Sequence, residues 1–333
     1  MAERPPLVQA LLTPTAYPHH AEKIALVQTQ MSFVFLTGDY AYKVKKPVDL
    51  GYLDYTTLEK RRHFCHQEVM LNRRLCPEVY LDVVPITEEE GKISIEEKGK
   101  VIEYAVKMRQ LPEHRMMDNL IRNGQLSKEM VEQVAQRVAE FHQKAETNER
   151  IASYGDLSNL MTNTEENFAQ TEKYIGISIS KGKYDAIKSY TRGFIDERAS
   201  LFRQRAKKGK IKDCHGDLHA AHVCFTNPIC IFDCIEFNDR FRYSDVANEI
   251  AFLAMDLDYH ERPDLSRHFV EAYVETCGDR EILKLLDFYK CYRAYVRGKV
   301  ESFKLDDPLI SEEEKPRVLA VARRYFQLAE SYI

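Results

Sequence analysis

The chain has 333 residues, with 48 lysines and arginines against 52 aspartates and glutamates, and a formal charge of −4. That balance gives no global basic surface of the kind nucleic acid requires, and 44% hydrophobic with 30% charged residues excludes intrinsic disorder. No apolar run approaches the ~20 residues that cross a bilayer and Met1 to Leu12 has no signal-peptide core, so a cytoplasmic location without membrane or nucleic-acid partners is expected.

In chain order, Ile24 to Thr29, Ser32 to Thr37 and Tyr40 to Lys45 are short β-branched and aromatic runs that predict strands. The last two flank Gly38-Asp39, a pair suited to a tight hairpin, and Pro47 ends the third. Thr56 with Glu59 forms a capping-box pair opening a helix that runs to Leu75 and stops at Pro77. Strands follow at Tyr80 to Pro85, Lys92 to Glu96 and Val101 to Met108, which makes a small antiparallel sheet with one inserted helix. After about residue 111 the pattern changes. Met130, Val131, Val134, Val138, Phe141 and His142 recur at helical spacing, and Asn163 to Tyr174 and Tyr184 to Lys207 also predict helices. A β-like island, Asp213 to Phe237, interrupts them before helices resume at Ser244. The eight cysteines form no C-x-x-C pair and several lie in apolar segments, which predicts buried reduced thiols rather than a zinc or disulfide framework.

Two groups of residues carry chemistry. On the helix from Thr56 to Leu75, Phe64, Leu71 and Leu75 form an apolar stripe with Glu68 in its middle. A carboxylate there either faces the core, where burial requires a cationic partner, or lies at the stripe's solvent edge. Ala41, Lys43 and Lys45 share one face of the third strand, and Lys43 is the partner we select. The second group is His215-Gly216-Asp217-Leu218-His219, then His222, then Asp233 in Ile231-Phe232-Asp233-Cys234, then Glu236. An aspartate closing a hydrophobic strand either binds a cation or makes a turn, and Asp233 is read as a metal ligand. His215, beside a glycine turn, is read as a loop-ordering residue.

Tyr40-Ala41-Tyr42-Lys43 resembles the V-A-I-K strand of protein kinases, Glu68 matches the helix carboxylate that pairs with that lysine, and His215-Gly216-Asp217 resembles the catalytic-loop motif. Asp233 falls at the D-F-G aspartate. The H-G-D-L-H form followed by a strand ending I-F-D is similar to the aminoglycoside phosphotransferase-like branch of the kinase superfamily, and Ile231 to Asp258 resembles an uncharacterised bacterial subgroup of it. The match spans about residues 20 to 300.

This resemblance implies an α+β, protein kinase-like bilobal fold. It implies an N-terminal lobe over residues 1–110 with an antiparallel sheet and one helix, a hinge near Met108 to Leu111, and a mainly helical lobe over 111–333, with ATP in the cleft. The implied activity is transfer of the γ-phosphoryl group of ATP to a hydroxyl of a small molecule, which together are the expected partners. Lys43, held by Glu68, would contact the α- and β-phosphates, with Ala41 lining the adenine and Met108 at the hinge beside it. Asp217 would accept or orient the acceptor's proton, and Asp233 would hold Mg2+. Asp245, with Ser244 as its helix cap, would brace the catalytic loop.

Two departures stand out. His222 occupies the position where the family commonly has an asparagine metal ligand; an imidazole suits Mn2+ better than Mg2+, and Glu236 or Asn238 are the substitutes at hand. The turn from Gln28 to Ser32 has no glycine to cover phosphates. Both favour an alternative, a kinase-like nucleotide-binding module with little turnover. A further alternative, a metal-dependent phosphohydrolase built on His215, Asp217, His219, His222 and Asp233, leaves Lys43 and Glu68 without a purpose. Asp256, Asp258 and Glu261 are candidates for an acidic wall facing a cationic acceptor, and the basic run Arg203 to Lys212 reads as a solvated helix end.

Overall fold

The computed structural model describes residues 4–307 and 310–333, so the first three residues of the Met1 to Leu12 segment lie outside it. The strands are β1 (Ala25–Gln28), β2 (Ser32–Leu36), β3 (Tyr40–Lys45), β4 (Tyr80–Glu89), β5 (Lys92–Ile95), β6 (Lys100–Arg109), β7 (Ile211–Asp213), β8 (Val223–Cys224), β9 (Cys230–Ile231) and β10 (Tyr243–Asp245). The helices are α1 (Pro6–Leu11), α2 (Leu58–Asn72), α3 (Met117–Arg122), α4 (Lys128–Lys144), α5 (Glu149–Ser153), α6 (Leu157–Thr171), α7 (Lys181–Glu197), α8 (Ala199–Lys207), α9 (Asp239–Arg242), α10 (Val246–Tyr259), α11 (Pro263–Cys277), α12 (Leu286–Phe303) and α13 (Lys315–Glu330). They fall into two compact units, one reaching Leu120 and resuming over Ala221–Asp239, the other formed by Ile121–Ala220 and Arg240–Ile333.

In the first unit an antiparallel sheet runs β1-β2-β3-β6-β4-β5. The hairpin between β2 and β3 turns at Gly38, whose φ of 102° favours a residue without Cβ, and Thr37 N–H donates to the Tyr40 carbonyl at 2.9 Å to close it. Alternation along β3 then sorts its side chains. Tyr42 and Val44 pack with Phe35, Val84, Ile86 and Leu11, whereas Ala41 joins Val106 and Met108 against Cys65 and Val69 of α2. The helix starts one residue later than the capping box predicts. Thr57 Oγ1 accepts the Lys60 N–H at 3.2 Å, because Thr56 is already bonded to Asp54 through both its hydroxyl and its N–H.

The cysteine expectation needs correction at one pair. Cys76, just past α2, and Cys230 in β9 form a disulfide with their Cα atoms 4.7 Å apart, while Cys65, Cys214, Cys224, Cys234 and Cys291 are buried. Two cysteines separated by 154 positions meet because both flank the same apolar cluster, which no spacing in the sequence reveals.

The second unit is helical. Phe252 and Met255 of α10, Ala294 and Tyr295 of α12, and Tyr325 and Phe326 of α13 form its core with Phe168 and Ile187. Gly298 permits the α12–α13 contact, since a Cβ there would stand 2.9 Å from the Phe326 ring. The predicted helix from Tyr184 to Lys207 is broken at Arg198 into α7 and α8. Arg205, in the basic run, is also not solvated: its guanidinium is fully buried, bidentate on Asp245 at 2.7 and 2.8 Å and 3.1 Å from Asp279. Among the described residues no helix is long and apolar enough to cross a membrane.

Candidate active site

In the first unit, Lys43 Nζ lies 2.8 Å from Glu68 Oε1 and 2.5 Å from Asp233 Oδ1. Glu68 is completely buried in the α2 stripe, which settles its orientation toward the sheet. Burial works against the Lys43 ammonium, but Asp233, Glu68 and Glu236 outweigh it and hold its pKa well above the ordinary lysine value. Burial likewise opposes the Glu68 carboxylate, yet Lys43 and Lys45 pull its pKa below the usual range. Both groups therefore stay charged at neutral pH.

Lys45, on the same face, is as deeply placed as Glu68. It is 2.7 Å from Glu68 Oε2 and ion-paired to Glu236, which also accepts the Tyr55 hydroxyl at 2.5 Å. The strand thus delivers two lysines to one glutamate. Glu236, offered above as a substitute metal ligand, is instead engaged by Lys45 and Tyr55, and Asn238 donates to the Tyr52 carbonyl at 3.0 Å.

Asp233 adopts a left-handed backbone, φ 63°, two residues past the buried end of β9. Two groups pin that turn: the Tyr80 hydroxyl accepts the Asp233 N–H at 3.1 Å and Asn72 Oδ1 accepts the Cys234 N–H at 2.9 Å. Asn72 also donates to the Glu68 carbonyl at 2.9 Å, so α2 fixes both carboxylates that flank Lys43. The Asp233 side chain itself is 39% exposed, with Oδ2 3.6 Å from His222 Nε2. Ala41 and Met108 sit directly opposite each other on β3 and β6, forming an apolar wall with Val106 and Phe232.

The second unit holds the His215-Gly216-Asp217 loop. Its brace is Glu249 of α10, which accepts the N–H of His215 at 2.9 Å and of Gly216 at 2.6 Å and contacts His142 Nε2 at 2.8 Å. Burial opposes the Glu249 charge, but His142 and these donors bring its pKa down to about 2. Gly216, φ 87°, allows both amides to face one carboxylate. His215 Nδ1 accepts the Asp217 N–H at 3.3 Å, the loop-ordering role expected of it, and His219 Nε2 is 3.7 Å from Asp217 Oδ2. Asp245 makes no bond to this loop among the described residues: it caps α10 itself, accepting the Ala247 N–H at 2.8 Å in place of Ser244, and pairs with Arg205. The acids proposed as a wall are also engaged elsewhere. Asp256 accepts the Ala220 N–H at 2.8 Å, Asp258 pairs with Lys290 at 2.8 Å, and Glu261 pairs with Arg324 at 2.9 Å.

Sequence patterns nominated Lys43, Glu68, Asp217 and Asp233 but missed Asn72, Tyr80, Lys45 with Tyr55, and Glu249. One signal was present: Asn72 follows Glu68 by one helical turn, a further polar residue beside the apolar stripe.

No protein-family model matches the chain. Uncharacterised proteins of Mycobacterium bovis and Mycobacterium tuberculosis are 31% identical over 307 residues, covering 92% of this chain; the chain spans 59% of the length of these curated relatives. A crystal structure of a choline/ethanolamine kinase family protein from Mesorhizobium loti matches 98% of both chains with a TM-score of 0.53 at 11% identity. The fold is protein kinase-like. A Plasmodium vivax ethanolamine kinase also matches, with a TM-score of 0.48 at 12% identity over 93% of this chain and 83% of its own.

Proposed function

We propose that this chain is an ATP-dependent phosphotransferase that moves the γ-phosphoryl group to a hydroxyl of a small molecule. The observation that carries this is Lys43, a permanently charged ammonium held between Glu68 and a half-exposed Asp233. Phosphoryl transfer asks a protein for positioning and charge neutralisation rather than bond making, and a clamped cation beside an accessible carboxylate supplies both. The likeness to kinase-fold structures is consistent with it.

The donor set at Asp233 fits a divalent metal. Magnesium is commonly held by one or two carboxylates plus substrate phosphates, and Asp233 offers an accessible carboxylate whose backbone is pinned from two sides. Asp233, with His222 next to it, would hold the ion, which when bound neutralises phosphate charge. Lys43 would contact the α- and β-phosphates, Ala41 and Met108 would line the adenine, and Asp217 would orient the acceptor hydroxyl and receive its proton at a carboxylate oxygen. Glu249 holds the loop that presents Asp217.

The test is to incubate the pure protein with ATP, Mg2+ and a pooled extract of hydroxyl-bearing metabolites and to identify a phosphorylated product by mass. A second reading, a nucleotide-binding module without turnover, draws on His222 standing 3.6 Å from Asp233 in place of an oxygen ligand. ATP binding with no transfer to any acceptor or to water would select it.

A further inference from the structure

The chemical class of the acceptor can be argued from α12. Arg293 is buried, 7% exposed, yet no carboxylate lies within ion-pairing distance of it among the described residues. Its Nε donates to Asn248 Oδ1 at 2.8 Å, its Nη1 to the Gly216 carbonyl at 3.3 Å, and its guanidinium lies 4.6 Å from the Phe252 ring centroid. Nη2 makes no hydrogen bond among the described residues. Buried arginines are ordinarily paired with carboxylates, and this one, on the catalytic loop's own carbonyl, has neutral partners only.

One turn along the same face stands Arg297, 27% exposed, stacked near Tyr325 and 3.9 Å from Glu301. Glu301 is more tightly committed to Lys304, at 2.8 Å. Arginines four residues apart on a helix repel modestly, and among the described residues Arg293 has no carboxylate of its own within ion-pairing distance to offset this. Asp217 and Asp256 are among the groups that favour the Arg297 charge, which places this side chain in the electrostatic neighbourhood of the catalytic loop. Meanwhile the acids that would have received a cation are bonded to Ala220, Lys290 and Arg324.

We propose that the acceptor is an anion, a hydroxyl compound bearing a carboxylate or a phosphate, and that Arg293 and Arg297 bind its charged group beside Asp217. Guanidinium forks match both oxyanions bidentately, so one chemistry covers the two sources. The proposal rests on the phosphotransferase reading but can fail separately from it.

The experiment titrates the full chain calorimetrically with glycerate, glycerol 3-phosphate, neutral glycerol and cationic ethanolamine, then repeats the titrations on Arg297→Gln and Arg293→Gln. Glycerate or glycerol 3-phosphate should bind at least ~10-fold more tightly than glycerol and ethanolamine, and each variant should lose roughly 10-fold to 100-fold for that anion while the neutral compound is unchanged. Which anion leads tells carboxylate from phosphate. Arg297→Gln, at a half-exposed position, keeps the test valid if Arg293→Gln fails to fold. Tighter binding of ethanolamine, no preference for either anion, or an anion preference that survives Arg297→Gln overturns the inference. Arginine-dependent anion binding with no ATP consumption on any acceptor upholds the binding site while removing the phosphotransferase reading. Phosphorylation of ethanolamine does the reverse.

Discussion

Lys45 Nζ lies 2.7 Å from Glu68 Oε2 while Lys43 Nζ lies 2.8 Å from Oε1, so two ammonium groups on one strand divide a single buried carboxylate between them. Their tasks differ. Lys43 also reaches the half-exposed Asp233, whereas Lys45, 1% exposed, reaches only buried partners.

Lys45→Ala should therefore be the more damaging change to stability, by about 3–5 kcal/mol, because it strips Glu236 of its cation and leaves Glu68 with one. Lys43→Ala should cost less stability but abolish tight ATP binding. Urea unfolding of both variants, with nucleotide titration of each, checks this; equal midpoints and equal ATP affinities would sink the division of labour.

Asp217→Asn and Asp233→Asn should separate transfer from binding. The first should keep nucleotide affinity and lose at least ~10²-fold in transfer rate, the scale of a general base. The second should weaken Mg2+-dependent nucleotide binding itself. Binding isotherms at several Mg2+ concentrations distinguish them, and an unchanged metal dependence in the Asp233 variant removes it from the metal site.

His222 makes the metal preference testable. If Asp233 holds the metal, an imidazole 3.6 Å from it should make Mn2+ preferred over Mg2+, and His222→Asn should shift activity toward Mg2+. The ratio of rates with the two ions is the measurement. A ratio that does not move would place His222 outside the metal's surroundings.

Glu249 predicts an acid limb of stability. Its pKa is about 2 in the folded chain, against 4.5 for an ordinary glutamate, so its contribution is complete above about pH 4.5 and disappears as pH falls through 2. The difference amounts to about 3 kcal/mol. Denaturant unfolding between pH 6 and 2 should show a shallower acid loss in Glu249→Gln than in the parent chain; parallel slopes would contradict the assignment.

How much of this was legible in the sequence follows from what each feature depends on. The span of β3 is set by local alternation and by Pro47, and was predicted residue for residue at Tyr40 and Lys45. Glu68 was legible because a charge inside an apolar stripe demands an explanation. The Glu249 brace was not, since a glutamate on a helix has no local mark of the two amides it will accept from a loop 33 and 34 positions earlier. Asp245 was misread for the converse reason: its sequence position suggested the brace, but its partner, Arg205, looked like part of a solvated basic run. Lys45 beside Lys43 gave no hint of Glu236, which comes 191 positions later.

The first unit is interrupted by the hundred residues from Ile121 to Ala220 before it resumes at Ala221. On a ribosome adding ~5–20 residues per second, about 5–20 s separate emergence of its two parts. Throughout that interval the nascent sheet carries Lys43 and Lys45 against Glu68 alone, without Asp233 or Glu236, and its apolar face lacks Cys224, Cys230 and Phe232. A fragment ending at Leu120 is thus a sheet with an unbalanced interior charge and an open flank. The first unit to start is therefore completed only once Asp239 has emerged, after a hundred residues of the second.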